Sequence, residues 1–154
     1  MQIVIAAVGR LGRTAEQALA KAYAERATLN GRAQGIGPVE IVEVEAKKPG
    51  KVAEAEALAP AIADAHVIAC DEHGQAMSSR ALAERIAALR DQGQRKVVFA
   101  IGGADGLDAG VLRHARERLA FGPQTWPHAL ARLMLAEQIY RATTILAGQP
   151  YHRD

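Results

Sequence analysis

The sequence predicts an α/β fold, a mostly parallel sheet flanked by helices, from its alternating pattern, its composition and its length. Apolar runs of strand length alternate with amphipathic stretches of helix length, which is typical of strand–helix–strand units. Hydrophobic residues make up 49% of the chain and aromatic residues only 4%, so the core must be aliphatic and rich in helix formers. A length of 154 residues is typical of one domain, and we expect a single domain over residues 1–154.

The amino-terminal part of the chain predicts two strands, each followed by a helix. The run "QIVIAAV" predicts the first strand, which ends at Gly9, and a helix follows from its expected cap Thr14 to about Asn30. The segment "VEIVEVE" (39–45) alternates strictly, so it predicts a strand with one wet face. The stretch "AEAEALAPAIADA" then predicts a helix that Pro60 kinks or restarts.

The middle of the chain predicts a buried strand, a helix and the central strand. The apolar run in "HVIACD" (66–71) predicts a buried strand. The segment "SSRALAERIAALRDQG" predicts a helix that is opened by Ser78 or Ser79 and stopped at Gly93. The run "KVVFAIGG" (96–103) is the strongest candidate for the central strand.

The carboxyl-terminal part predicts a short helix near 108–118 and a long final helix from about His128 to Ala147. The long helix is apolar on more than one face. Its two stripes are Leu135, Ile139, Ala142 and Leu146, and Leu130, Leu133 and Met134. The periodicity alone leaves two interpretations equal, a central core helix or half of a dimer interface.

The cysteine, histidine and hydropathy patterns argue against several classes of protein. The single cysteine, Cys70, excludes an internal disulfide framework and a cysteine cluster for zinc, and the five histidines lack a metal-binding spacing. We therefore expect no metal. No apolar stretch approaches the roughly 20 residues that span a bilayer, and no basic segment precedes the first apolar run. These features predict a soluble, cytoplasmic protein.

The charge of the chain is modest but uneven. The net charge is +2, and residues 1–51 hold eight Lys or Arg against five Asp or Glu. The segment "KKPGK" (47–51) is a basic loop with a proline–glycine break. Phosphate contact and plain solvation remain open for this loop, because the overall charge balance argues neither for nor against nucleic acid.

Three segments that follow predicted strands carry polar or aromatic side chains and glycines. Ligands of open α/β sheets bind at this position, outside the carboxyl ends of the strands. The three segments are "CDEHGQAMSS", "IGGADGLD" and "FGPQTWPH", and the last is a rigid loop with two prolines and the only tryptophan. Neither a Walker A motif nor the dinucleotide-binding fingerprint is present. The terminal "GQPYHRD" places a phenol, an imidazole and a guanidinium after a stiffening proline, so it is either a solvated tail or part of a site.

The combination of "IGGADGL", "TWPHALARLMLAEQIYRA" and the terminal "PYHRD" resembles the RlmH family of the SPOUT superfamily. These are small enzymes that methylate N3 of a pseudouridine in large-subunit ribosomal RNA. The resemblance extends over the whole chain and is most specific in the carboxyl-terminal third. It implies a SPOUT-type α/β fold with a carboxyl-terminal trefoil knot, a homodimer, S-adenosyl-L-methionine (SAM) as cofactor, and 23S ribosomal RNA of the ribosome, at the helix 69 stem-loop, as substrate.

The resemblance also implies which residues form the site. The expected cofactor-binding residues are Cys70, Gly102, Phe121, Gly122, Pro123, Gln124, Thr125 and Trp126. Many relatives carry leucine where this chain has Cys70, which makes the apolar contact smaller here. Tyr151, His152 and Arg153 are the expected catalytic residues, as a stacking surface, a base and an anion partner.

Three alternatives stay open at this point. Water is an alternative base, in which case the three terminal residues only bind RNA. A non-enzymatic nucleotide-binding regulatory domain is an alternative to the enzyme, although it would not explain a TWPH loop followed by a functional terminus. A SPOUT methyltransferase with another RNA target, such as a transfer RNA, is the third.

Overall fold

One sheet of five parallel strands organises the computed structural model, which describes residues 1–153. Asp154, the last residue of the predicted domain, lies outside the described residues. The strand order is β2-β1-β4-β3-β5, and every neighbouring pair is parallel. The strands are β1 (Gln2–Val8), β2 (Val39–Val44), β3 (His66–Ala76), β4 (Lys96–Ile101) and β5 (Glu117–Ala120). The predicted α/β class is therefore confirmed.

Helices cover both faces of the sheet. They are α1 (Ala15–Gly31), α2 (Lys51–Ile62), α3 (Ser79–Asp91), α4 (Ala109–His114) and α5 (His128–Leu146), with a 3-10 turn at Arg32–Gln34. Helices α1, α3 and α5 share one apolar core with alternate strand residues such as Ile3 and Phe99, while α2 and α4 share the other with Val4 and Val98. This three-layer packing explains why the central strands are apolar on both faces.

Local sequence signals set several helix boundaries. The hydroxyl of Thr14 accepts a hydrogen bond from the Gln17 amide at 3.3 Å, as the sequence predicts for the start of α1. The hydroxyl of Ser78 caps α3 in the same way. Pro60 does not restart α2, contrary to one of the two expectations, because the helix runs from Lys51 through Pro60 to Ile62.

Two predictions in the second half of the chain are wrong. Residues 71–76 continue β3 instead of forming a loop, and the pairing with β5 shifts so that both Cys70 and Gln75 face Leu119. Gly74 permits this irregular segment, since a Cβ atom there would lie 2.7 Å from the Leu119 backbone. The short helix ends at His114, and the residues after it include β5, which is only four residues long and too short to show a strand period.

The final helix α5 packs against both α1 and α3. Its stripe of Leu135, Ile139 and Ala142 is buried in the core, so the interpretation as a core helix is correct for that face. Leu133 and Met134 of the other stripe are only half-buried. The trefoil knot implied by the resemblance stays a prediction. Within residues 1–153, no helix combines the length and apolarity needed to cross a membrane.

Candidate active site

A cleft of about 440 Å³ opens where β4 and β5 end, beside residues 70–73 of β3. We call it the carboxyl-edge cleft, and its walls are residues 70–73, residues 101–107, the loop 121–126 and the start of α5. Strand register brings these distant segments together, because Cys70 lies beside Ile101 of β4 and beside Leu119 of β5. The volume is within the roughly 300–1,000 Å³ typical of small-molecule sites.

The glycine pair after β4 forms one wall from backbone alone. A Cβ atom on Gly102 would lie 2.6 Å from the backbone carbon of Gly106, so only glycine fits where the loop folds onto itself. The Gly106 amide donates to the Gly103 carbonyl at 3.0 Å and closes the turn. The Gly103 amide donates to the carboxylate of Glu54 at 3.3 Å, which ties the loop to α2. The wall is therefore held from both sides and presents peptide groups to the cleft.

The loop between β5 and α5 forms the facing wall. The indole Nε1 of Trp126 donates to the carbonyl of Phe121 at 3.1 Å and closes the loop across five residues. Gly122 has a φ of +97°, in the left-handed region that favours glycine. The Trp126 side chain remains 40% exposed at the rim of the cleft. This loop is rigid and aromatic, as its sequence indicates.

The structure brings together most of the residues that the resemblance assigns to the cofactor. Those that line the carboxyl-edge cleft are Cys70, Gly102, Phe121, Gly122, Gln124, Thr125 and Trp126. Pro123 is exposed and does not line it. Burial raises the pKa of the Cys70 thiol to about 12, so the side chain is a neutral, apolar contact at physiological pH.

Charged residues also line the cleft, and the sequence analysis assigned none of them to the cofactor site. Asp71 lies 3.6 Å from the guanidinium of Arg118, and Glu72, His73 and Lys51 complete the polar rim. Asp71 and His73 belong to the segment "CDEHGQAMSS", which the sequence predicts to be functional. The sequence does not predict that β3 continues through them and places them at the cleft. Among residues 1–153, no group of three or more His, Cys, Asp or Glu is arranged to hold a metal ion.

The terminal residues lie elsewhere, folded back on α5. The Tyr151 hydroxyl donates to Oε1 of Glu137 at 3.0 Å, and its ring centroid lies 4.8 Å from that of Tyr140. The guanidinium of Arg141 stands 4.8 Å from the Tyr151 ring centroid and 3.3 Å from Nδ1 of His152. A guanidinium only donates, so this contact uses the lone pair of Nδ1 and leaves the ring hydrogen on Nε2.

We call Glu137, Tyr140, Arg141, Tyr151 and His152 the tail cluster, and two of its members, Arg141 and Tyr151, have raised pKa values. Hydrogen bonds to Glu137 raise the pKa of Arg141, so the ion pair within α5 is fully charged. Burial raises the pKa of Tyr151 well above its usual value, and its hydrogen bonds to Tyr23 and Glu137 raise it further. Tyr151 is therefore a neutral phenol that donates to a carboxylate.

The tail cluster and the carboxyl-edge cleft are on different surfaces of one chain. Glu137 follows His128, which lines the cleft, by nine residues, which is about 14 Å along a helix. A second cavity of about 680 Å³ lies between them and is mainly apolar. We call it the apolar groove, and its walls include Leu19, Tyr23, Met77, Leu133, Met134 and Glu137. Tyr151 and His152 are therefore not brought to the cleft within one chain.

Comparison with known sequences defines the class of protein. A family model described as "Predicted SPOUT methyltransferase" matches residues 1–152. The chain belongs to the SPOUT methyltransferase family. Within it, the chain is 67% identical to Ribosomal RNA large subunit methyltransferase H of Phenylobacterium zucineum, over 100% of both chains. The protein of the same name from Caulobacter vibrioides is 65% identical, over 100% of this chain and 99% of that one. The resemblance to the RlmH family is thereby confirmed.

Solved structures support the fold. A probable methylase family protein from Haemophilus influenzae Rd KW20 superposes with a TM-score of 0.57 at 15% identity, over 99% of this chain and 70% of that one. TrmJ from Z. mobilis ZM4 superposes with a TM-score of 0.50 at 20% identity, over 91% and 68%. At these identities the likeness concerns the fold alone.

Proposed function

We propose that this protein uses SAM to methylate N3 of a pseudouridine in the helix 69 stem-loop of 23S ribosomal RNA in the assembled ribosome. The observation that carries the proposal is the carboxyl-edge cleft, where seven of the eight residues expected at the cofactor lie together. Relatives at 65–67% identity are named for methylation of large-subunit ribosomal RNA, which supports the substrate class. The pseudouridine, its N3 atom and helix 69 rest on the RlmH resemblance.

The lining of the cleft fits SAM. Peptide groups around Gly102 and residues 121–126 suit the edge of an adenine, and the apolar side chains of Phe121 and Cys70 suit the methionine chain. When bound, SAM supplies a methyl carbon that its sulfonium group already activates. The chain's own contribution is then to hold the acceptor in line and to remove the proton from N3.

The terminal residues are the proposed acceptor half of the site. Tyr151 offers a face on which a base stacks, His152 accepts or relays the N3 proton, and Arg153 holds a phosphate or the imidate oxygen. Because Arg141 occupies Nδ1 of His152 in the observed arrangement, this contact must open before the ring accepts a proton at that nitrogen. Water as the base, with these residues only binding RNA, is the competing mechanism.

A homodimer reconciles the separate positions of the cleft and the tail. The apolar groove beside the tail cluster carries half-buried Leu133 and Met134, and Leu19 on its wall is 51% exposed. A second copy with the same face would cover it, as a two-fold interface requires. In the proposed dimer, the tail of one subunit completes the cleft of the other. A ribosomal substrate would place the protein in the cytoplasm. The family match over residues 1–152 supports a single SPOUT domain.

Mass mapping of ribosomal RNA tests the proposed target. We expect RNA from a deletion strain to lack one methyl group on a pseudouridine of the large subunit, and to regain it with the purified protein and SAM. An unchanged pseudouridine pattern would contradict the target.

Calorimetric titration with SAM separates the enzyme from a regulatory domain, because absence of binding would rule out a SAM-dependent enzyme.

Substitution of His152 tests the proposed base. His152→Ala at saturating SAM should lower turnover by about 100-fold or more, since general-base catalysis contributes roughly 10²–10⁴-fold. Ribosome affinity is measured in parallel. A variant with full turnover would exclude the role of His152 as base, and a loss confined to ribosome affinity would favour the water mechanism.

A further inference from the structure

Two neighbouring loops at the carboxyl edge of the sheet gather five basic side chains. Strands β1 and β2 pair in parallel, so the loop 9–14 and the loop 45–50 leave the sheet side by side. The side chains are Arg10, Arg13, Lys47, Lys48 and Lys51, and all five residues are exposed. We call them the two-loop basic surface. Arg10 bridges the loops through Glu45 at 3.3 Å.

The carboxylates of this region offset the five cations only in part, because Glu43 is paired with a buried arginine, while Glu54 keeps its charge beside an amide. Glu43 accepts from buried Arg132 at 2.8 Å, and Glu54 accepts from the Gly103 amide. Within residues 1–153, Arg13 and the three lysines have no carboxylate within 4.0 Å. The Arg10–Glu45 pair is 69% and 58% exposed, which makes it weak and easily exchanged for another anion. A local positive field therefore exists although the net charge is small.

The loops are held in place from below. Arg132 of α5 is fully buried and donates to the Gly9 carbonyl at 2.9 Å as well as to Glu43 of β2. The Gly9 amide donates to the Val44 carbonyl at 2.9 Å. The bases of both loops are thus fixed to the sheet and to α5, while their cationic tips remain in solvent.

The two-loop basic surface is continuous with the carboxyl-edge cleft. Lys51 lines the cleft, and one turn later Glu54 binds the Gly103 amide of the cleft wall. A polyanion that reached the cleft would therefore pass next to these five cations.

We infer that the two-loop basic surface binds the sugar-phosphate backbone of the RNA that presents the acceptor base. The inference rests on the proposed function and specifies where the RNA lies. Flexible lysines act as point charges on phosphates and read no sequence, so this surface positions the RNA instead of selecting the base. In a dimer the surface is present twice, which would compensate for the small net charge.

The test removes three charges from the surface and three from a matched control. The first variant is Arg13→Ala with Lys47→Ala and Lys48→Ala, and it keeps Lys51 because that residue lines the cleft. The control is Arg95→Ala with Arg113→Ala and Arg116→Ala. All three control residues are exposed and lie outside the carboxyl edge: Arg95 precedes β4, Arg113 is in the last turn of α4, and Arg116 lies between α4 and β5. Melting temperature and SAM affinity check that both variants are intact.

Binding to 70S ribosomes from a deletion strain is measured against salt concentration. The surface variant should bind at least about 10-fold more weakly at 0.1 M salt, with the slope of log affinity against log salt reduced by about 2–3. The control should stay within about twofold of the wild type. Equal losses in both variants, or no loss in the first, would overturn the inference. A wild-type protein that binds SAM but no ribosome would instead contradict the proposed function.

Discussion

The carboxyl-edge cleft and the tail cluster differ in how they are built. The cleft collects residues far apart in sequence, and its walls are backbone turns and a loop closed by the Trp126 indole. The tail cluster consists of residues close in sequence, and its terminal residues contact side chains on α5, chiefly Glu137 and Arg141, together with Tyr23 of α1. The sheet fixes the cleft, while the tail cluster depends on side-chain contacts that another surface could replace.

This difference suggests a division of labour within the proposed enzyme. A small cofactor suits a cleft that the sheet holds in place, whereas a large RNA suits a tail that rearranges when it binds. Along α5 the two regions come no closer than Ala131 of the cleft and Glu137 of the tail cluster, which are about 9 Å apart, and neither Tyr151 nor His152 lines the cleft of its own subunit. The proposed dimer joins the tail of one copy to the cleft of the other.

Deletion of residues 151–154 should have the largest effect. We expect methylation of ribosomes to fall by about 1,000-fold or more, because the acceptor half of the site is lost, while SAM affinity changes less than about threefold. Radiolabelled methyl transfer and calorimetry measure the two quantities. Activity that survives the deletion would reduce the tail to a solvated extension.

Gly102→Ala should produce the converse pattern with a smaller effect. The added Cβ would lie 2.6 Å from the Gly106 backbone, so the wall of the cleft must shift. We expect SAM to bind at least about 10-fold more weakly, or about 1.4 kcal/mol, and ribosome binding to be retained. The tail deletion is the control, since it should keep SAM affinity. Unchanged SAM binding in the glycine variant would contradict the assignment of the cleft.

Glu117→Gln should affect neither region and only lower stability. Glu117, at the start of β5, does not line the cleft, and it accepts from Arg85 at 2.8 and 2.7 Å and contacts His66. We expect the free energy of unfolding to fall by about 1–3 kcal/mol at pH 7, with turnover unchanged. Glu84→Gln, on the exposed face of α3, is the matched control. A loss of turnover in the folded Glu117 variant would contradict the separation of site from scaffold.

The stability that Glu117 contributes depends on pH with a defined sign. Burial opposes ionisation of Glu117, but the hydrogen bonds from Arg85 and His66 outweigh it and hold the pKa below its ordinary value of 4.5. Because the pKa of Glu117 is lower in the folded state, its contribution to the free energy of unfolding is complete above pH 4.5. This contribution is lost as the pH falls through the lowered pKa of the folded state. The stability difference between wild type and Glu117→Gln should therefore shrink in acid.

The strands and helices could be predicted wherever a local signal was strong. The apolar runs located β1 and β4, and Thr14 and Ser78 capped the helices that the sequence indicated. The extension of β3 could not be predicted, because it depends on Gly74 packing against the backbone of β5. The four-residue β5 itself is stabilised by its neighbour rather than by any pattern of its own.

Part of the candidate site could be predicted from the order of strands and loops in the sequence. Residues that follow parallel strands meet at one edge of the sheet, so Cys70, Gly102 and Phe121 lie at one cleft as expected. The position of the tail could not be predicted, since it depends on how Tyr151 meets Tyr140 and Arg141 across a turn. Whether the tail serves its own cleft or another copy's is a property of the assembly.

A tagged heterodimer tests the shared site most directly. One subunit carries Gly102→Ala and an intact tail, and the other lacks residues 151–154 and has an intact cleft. If each site combines the cleft of one subunit with the tail of the other, one of the two sites is fully native, and the heterodimer should show about half of the wild-type turnover. A turnover no higher than the mean of the two mutant homodimers would contradict the shared site.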